Sequence, residues 1–266
     1  MDLLCSPKRG KLRLTVPRIY FPPGVEKGNR CKLLKENLRY VKSVLRMKEG
    51  DRLILFDGTG GEYESVVHRV SADGVDVEVI KKTEIPQREL RISLLQALPK
   101  ANKMDYIVQK ATELGVDGIV PFHSTRSVPR FSPEKNAARV IRWHSIAVEA
   151  ARQCGRADIP WIGNVLSFEE VIRSGEGDGC KIILWEGEPE RNIRDVLRDV
   201  RYRNINDIVI VIGPEGGFTT GEIEEAGEAG FVAVNLGRII LRVETASVAV
   251  LSIIQYERGF FGGFRG

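Results

Sequence analysis

The chain has 266 residues, 42% hydrophobic and 29% charged, with a net charge of +4, a balance that fits a soluble globular protein of one large or two modest domains. No run approaches the roughly 18 uninterrupted apolar residues of a membrane helix, and Asp2, Lys8, Arg9, Lys11 and Arg13 break up any secretory leader. The cysteines Cys5, Cys31, Cys154 and Cys180 never stand at C-x-x-C spacing, which argues against a structural zinc or a disulfide frame and fits reduced thiols in the cytoplasm.

Residues 12–21 partly alternate and read as extended, with an interruption at Pro17. Over 31–47, Leu33, Leu34, Leu38, Val41, Val44 and Leu45 recur at helical spacing, and Lys32, Lys35, Arg39, Lys42 and Arg46 occupy the other face. The spacing predicts an amphipathic helix and does not separate a solvated surface from an RNA-facing stripe. Strands are expected at 52–56, 62–70 and 75–81, with turns at Asp57-Gly58 and Asp73-Gly74, so this part reads as a small β-barrel. Residues 1–82 hold 17 Lys+Arg against 11 Asp+Glu, a net +6, while the remainder is at −2. A positive excess confined to one domain fits a polyanionic partner.

The polar stretch Thr83–Glu89, with Pro86, marks the boundary, giving domains 1–82 and 83–266. Beyond it strands (91–98, 116–122, 181–185, 208–212, 232–235) alternate with helices (101–114, 133–153, 192–201, 219–229, 246–257). This alternation predicts an α/β domain with a mostly parallel sheet covered on both faces. Ser132-Pro133 is a helix start, and Gly175–Gly179 reads as a flexible turn. The apolar face of the last helix (Val248, Leu251, Ile254, with Tyr256 and Phe260) suits either the core or a dimer interface.

The chain is organised around residues 208–247. Ile208–Ile212 reads as a strand buried on both faces, and it ends in Gly213-Pro214-Glu215-Gly216-Gly217. Thr219 with Glu222 makes a capping box for the next helix, which Gly230 ends. A strand, a glycine loop and a helix in this order mark the place where open α/β sheets bind nucleotides. No lysine follows the loop, so it is not a P-loop, and the dinucleotide glycine spacing is absent. A second glycine-bearing loop runs from Leu236-Gly237 through Arg242 and Glu244 into the last helix. Two adjacent loops of this kind make one pocket. His68, His123 and His144 are scattered and give neither a metal cluster nor a Ser/His/Asp set.

The pair "IGPEGGF" and "LGRIILRVETA", about twenty residues apart, resembles the SPOUT methyltransferases, and among them the RsmE family that methylates N3 of a uridine in small-subunit (16S) ribosomal RNA. "VPRIYF", "VLRMKEGDRLILFDG", "KATELGVDGIVPF" and "QCGR" extend the resemblance over nearly the whole chain. It implies a PUA-like RNA-binding barrel, a catalytic domain with a deep trefoil knot, a homodimer, S-adenosylmethionine as donor, and ribosomal RNA or the small ribosomal subunit as partner. The knot follows from the resemblance alone; the pattern by itself predicts an ordinary doubly wound sheet. The alternatives are a SPOUT enzyme acting on a ribose 2′-hydroxyl of transfer or ribosomal RNA and a non-catalytic RNA-binding assembly factor.

By the same resemblance, three strand-end loops hold the donor. They are Leu184, Trp185 and Glu186; Ile212 to Gly217, including Pro214, Glu215 and Gly216; and Leu236, Gly237, Ile240, Leu241, Val243, Thr245 and Ala246. Trp185 also reads as a core residue. A uridine N3 must lose its proton to attack, and the charge spreads onto the uracil oxygens, so a fixed guanidinium suits the step. The catalytic candidates are Arg242, Arg126 and Arg152, and the RNA-binding candidates are Arg18, Lys35, Arg39, Lys42, Arg46 and Arg156. Three departures from the family pattern stand out: Arg152 where relatives carry Glu, Val243 where Thr is common, and Arg39-Tyr40 where histidines often occur.

Overall fold

The computed structural model describes residues 16–22, 29–86, 88–127, 132–174, 179–187 and 191–259. The chain divides into two compact units, Met1–Gln87 with Gly155–Asp158, and Arg88–Cys154 with Ile159–Gly266.

In the first unit β1 (Arg18–Tyr20), β2 (Arg30–Leu33), β3 (Arg52–Phe56), β4 (Gly61–Val70) and β5 (Val75–Glu84) form one sheet in the order β1-β3-β4-β5-β2. Bulges between Glu64 and Ser65 and between Val67 and Arg69 interrupt the long β4–β5 pairing, and such irregularities bend a hairpin into a curled sheet. Ile19, Leu33, Val41, Leu53, Leu55, Val67, Val75 and Val77 fill its core. The continuous helix expected at 31–47 is not there. Its first residues are β2, with Cys31 and Leu33 inward and Arg30 and Lys32 outward, paired antiparallel with β5. The remainder is α1 (Lys35–Arg39) and a π-helical turn (Tyr40–Leu45) ending at Arg46, whose φ of +53° is left-handed. The open edge of β5 has won over helical spacing, and Leu34 and Val44, both counted in the expected apolar face, stay exposed.

A buried carboxylate organises the β3–β4 turn. Asp57 accepts from Thr59 N (2.8 Å), Thr59 Oγ1 (2.8 Å), Gly61 N (3.0 Å) and Tyr63 Oη (3.0 Å). Against this turn lies the short segment Gly155–Asp158: Gly58 bridges to Asp158, and Gly60 N donates to Ala157 O at 3.3 Å. Arg18 completes the joint, with Nη1 2.7 Å from Glu62 Oε1 and Nη2 donating to Arg156 O at 3.0 Å.

The second unit is a parallel sheet of β6 (Arg91–Ala97), β7 (Gly118–His123), β8 (Trp161–Ile162), β9 (Leu166–Ser167), β10 (Cys180–Leu184), β11 (Arg191–Asn192), β12 (Asp207–Ile212) and β13 (Val232–Asn235). The order is β11-β13-β10-β12-β6-β7-β8, with β9 on β7. Alternate residues of β12 face opposite cores, with Ile208, Ile210 and Ile212 on one side and Val211 on the other. The first core takes α2 (Lys103–Glu113), α3 (Pro133–Cys154), α5 (Ile193–Arg198) and α7 (Val243–Glu257); the second takes α4 (Phe168–Ser174) and α6 (Thr220–Glu228). α4 and the two-residue strands β8, β9 and β11 were not expected: runs that short show no periodicity. α7 begins three residues before the expected start, with Arg242 at its N-cap. Leu251 and Ile254 of α7 are core, Tyr256 is exposed, and Phe260 lies outside the described residues. Most of the 175–179 turn also lies outside them. Among the described residues no helix is long and apolar enough to cross a membrane.

Candidate active site

The loops after β10, β12 and β13 leave the same end of three adjacent parallel strands, so they surround one space. That space is a cavity of about 790 Å³, within the range of small-molecule sites. Leu184–Glu186, Ile212–Pro214 with Gly217 and Phe218, and Val234–Leu241 form its walls, with Val243 and Ala246 of α7. All the expected donor-binding residues line it except Glu215, Gly216 and Thr245.

The glycines of the β12 loop have separate reasons. A Cβ on Gly213 would meet the Phe218 ring at 3.0 Å, and one on Gly216 would meet Arg126 Cβ at 3.2 Å. Gly217 has φ +65°, and its Cβ would lie 2.9 Å from Glu186 Oε1. Arg126 reaches the loop from beyond β7, Nη1 donating to Gly216 O (2.9 Å) and Phe218 O (3.3 Å). The Thr219–Glu222 capping box forms, and Glu222 Oε1 also accepts from Thr125 N at 2.9 Å. The loop is therefore bolted to its neighbour on both sides of Phe218.

Glu215 turns away from the cavity. It accepts from Lys103 Nζ (2.8 Å) and Lys100 N (3.2 Å). Burial pushes its carboxyl up, but hydrogen bonds from the Lys103 ammonium and backbone amides outweigh that and hold it below the ordinary glutamate value. Trp185 packs against the core around Phe168 and Phe218 and also lines the cavity. Ile239 and Ile240 are 79% and 76% exposed at the mouth. Arg242, at the N-cap of α7, is exposed, makes no side-chain capping bond and does not line the cavity, although Leu241 and Val243 on either side do.

The other predicted residues are not among those lining the cavity. Arg152 on α3 pairs with Glu149 and does not line the cavity. Arg156 and Arg18 side chains are each only 11% exposed, Arg156 bound to Asp158 and Arg18 to Glu62. Arg39, Lys42 and Arg46 are exposed on one short segment of the first unit, with Lys42 Nζ donating to Ser71 O at 3.1 Å; the Lys35 side chain lies outside the described residues. Sequence reasoning missed Asn192, Ile193 and Arg194, which line the cavity. Their signal was the Asn192–Asp195 capping box, but only the pairing of β11 with β13 brings them there.

Among the described residues no group of three His, Cys, Asp or Glu side chains is placed to hold a metal. A family model for the RNA methyltransferase domain matches residues 86–255, and one for the RNA methyltransferase PUA domain matches 33–80. Ribosomal RNA small subunit methyltransferase E of Bacillus subtilis (strain 168) is 33% identical over 242 residues, covering 90% of this chain and 94% of the relative. The protein of that name from Neisseria gonorrhoeae, solved bound to S-adenosyl methionine, superposes with a TM-score of 0.83 at 31% identity, covering 92% of this chain and 99% of the other. A methyltransferase of Legionella pneumophila, solved with the cofactor SAM, gives 0.82 at 33% identity, with 91% and 97% covered.

Proposed function

Because the chain belongs to the ribosomal RNA small subunit methyltransferase E family, we propose that it transfers a methyl group from S-adenosylmethionine to N3 of a uridine in small-subunit ribosomal RNA. The observation that carries this reading is the cavity itself, built from three strand-end loops with Gly213 and Gly217 in its lining, where an added Cβ would press on Phe218 and Glu186. Its features fit the donor. Backbone amides and carbonyls at strand ends can read an adenine edge, Ile240 and Leu241 in the lining offer an apolar face, and Glu186 offers a carboxylate. When bound, the donor supplies a methyl group on a sulfonium.

The chain's own residues do the rest. The Gly213–Gly217 loop and 236–241 hold the donor, and Arg126 keeps the first of these in shape through Gly216 O and Phe218 O. Arg242 stands beside this cavity with its guanidinium uncommitted to a cap, and it balances the charge that builds on the uracil oxygens as N3 attacks. The exposed Arg39, Lys42 and Arg46 of the first unit track RNA phosphates. We further infer a cytoplasmic homodimer in which the C-terminal segment threads a loop to form a deep trefoil knot. Incubation with labelled S-adenosylmethionine and small ribosomal subunits, followed by mapping of the modified nucleotide, tests the reading. Label on uracil N3 is expected. Label on a ribose 2′-oxygen would mean the other SPOUT chemistry, and no transfer would mean a binding factor.

A further inference from the structure

Behind the cavity three elements of the second unit converge on one ammonium group. Lys103, in the first turn of α2, has Nζ 2.8 Å from Glu215 Oε1 and 3.3 Å from Glu244 Oε2. Glu215 belongs to the glycine loop. Glu244 belongs to the first turn of α7, between the cavity-lining Val243 and Ala246. Neither carboxylate lines the cavity. Glu244 Oε2 is shut off from solvent and makes no hydrogen bond of good geometry among the described residues, so the lysine is its compensation. The approach to α2 adds a second tie. Ala101 adopts φ +54°, a conformation unfavourable for a residue with a Cβ, and just before it the Lys100 N–H lies 3.2 Å from both oxygens of Glu215.

We propose that Lys103 is a positioning residue for the methyl donor: by bridging Glu215 and Glu244 it fixes the separation of the glycine loop and the start of α7, the two walls between which the donor sits. This rests on reading the cavity as the donor's. Two carboxylates drawn to one point repel when the cation between them is lost, and a buried oxygen is then left uncompensated. The walls part, and the donor must spend binding energy to bring them back, which raises its dissociation constant. Once the donor saturates the site the walls are in place, so the chemical step changes much less. Arginine keeps a cation at the position, whereas methionine keeps only the apolar stem.

The test is calorimetric titration of the full chain with S-adenosylmethionine, alongside single-turnover methylation at saturating donor. Lys103→Met is expected to raise the dissociation constant about tenfold or more, with Lys103→Arg recovering most of the loss. Adding Glu244→Gln to Lys103→Met is expected to restore part of the affinity, because it removes the repulsion; a role in packing alone would give no such rescue. Unchanged affinity in Lys103→Met, or no rescue by either second change, overturns the clamp. If Lys103→Met does not fold, Glu215→Gln with Glu244→Gln tests the clamp from its other side at constant side-chain size: weaker donor binding is expected, and native affinity overturns it. A wild-type chain that does not bind S-adenosylmethionine refutes the reading of the cavity and this inference with it.

Discussion

Arg126 and Arg242 both stand in strand-end loops, but their surroundings give them different work. Arg126 commits its guanidinium to two carbonyls of the glycine loop, while Arg242 is exposed with no side-chain bond at the cap of α7. Arg242→Ala is expected to fold and bind the donor normally but to methylate about a hundred- to a thousandfold more slowly in single turnovers. Lysine should recover only part, since it is a point charge without the planar fork. Arg126→Ala should instead weaken donor binding and cost about 0.5–1.5 kcal/mol of stability, because Gly216 O and the part-buried Phe218 O lose their donor. The two outcomes exchanged would exchange the roles. Gly217→Val should abolish donor binding in calorimetry, for its φ of +65° excludes a β-branched residue and its Cβ would press on Glu186 Oε1. The glycine loop Gly213–Gly217 after the strand was legible in the sequence. The partners of Arg126 were not, because they lie 90 and 92 residues further along the chain.

Elements were legible where the apolar pattern is long. The Ile208–Ile212 run gives β12, and the Thr219–Glu222 spacing gives the start of α6. Over 31–47 a helical repeat was present, but β5 offered an unpaired edge and took Arg30–Leu33 as a strand. Nothing local in a sequence reports an edge in need of a partner. The β3–β4 turn makes the testable case at this scale. Burial pushes the Asp57 carboxyl up, but hydrogen bonds from Thr59, Gly61 and Tyr63 outweigh it and hold the group below its ordinary value. A carboxylate depressed in the folded state stabilises above its unfolded pKa, near 3.9, and that stability is lost as pH falls through the folded value. Calorimetric melting of the native chain is therefore expected to drop steeply below about pH 4. Asp57→Asn should melt lower at pH 7 and flatten this acid limb; an unaltered limb would assign it to other carboxylates.

For the whole molecule the charge is unevenly shared, +6 in residues 1–82 against −2 in the rest. RNA affinity is expected to fall steeply as salt rises, and Lys35, Arg39 and Lys42 reversed together to Glu should weaken RNA binding while leaving donor affinity intact. A flat salt response, or normal RNA binding by the triple variant, would move the RNA surface elsewhere. The polar stretch Thr83–Glu89 suggested a division of the chain, but no change of composition marks Gly155–Asp158, which belong to the first compact unit with Met1–Gln87. That membership has a consequence for synthesis. A nascent chain that has emerged to Gln87 holds every strand of the first sheet and lacks the segment that covers the β3–β4 turn. At translation rates of about 5–20 residues per second, that segment follows roughly 4–14 seconds later. For that interval the turn stands open and Arg18 lacks the Arg156 carbonyl, so the domain translated first is finished only after α2, β7 and α3 have been made.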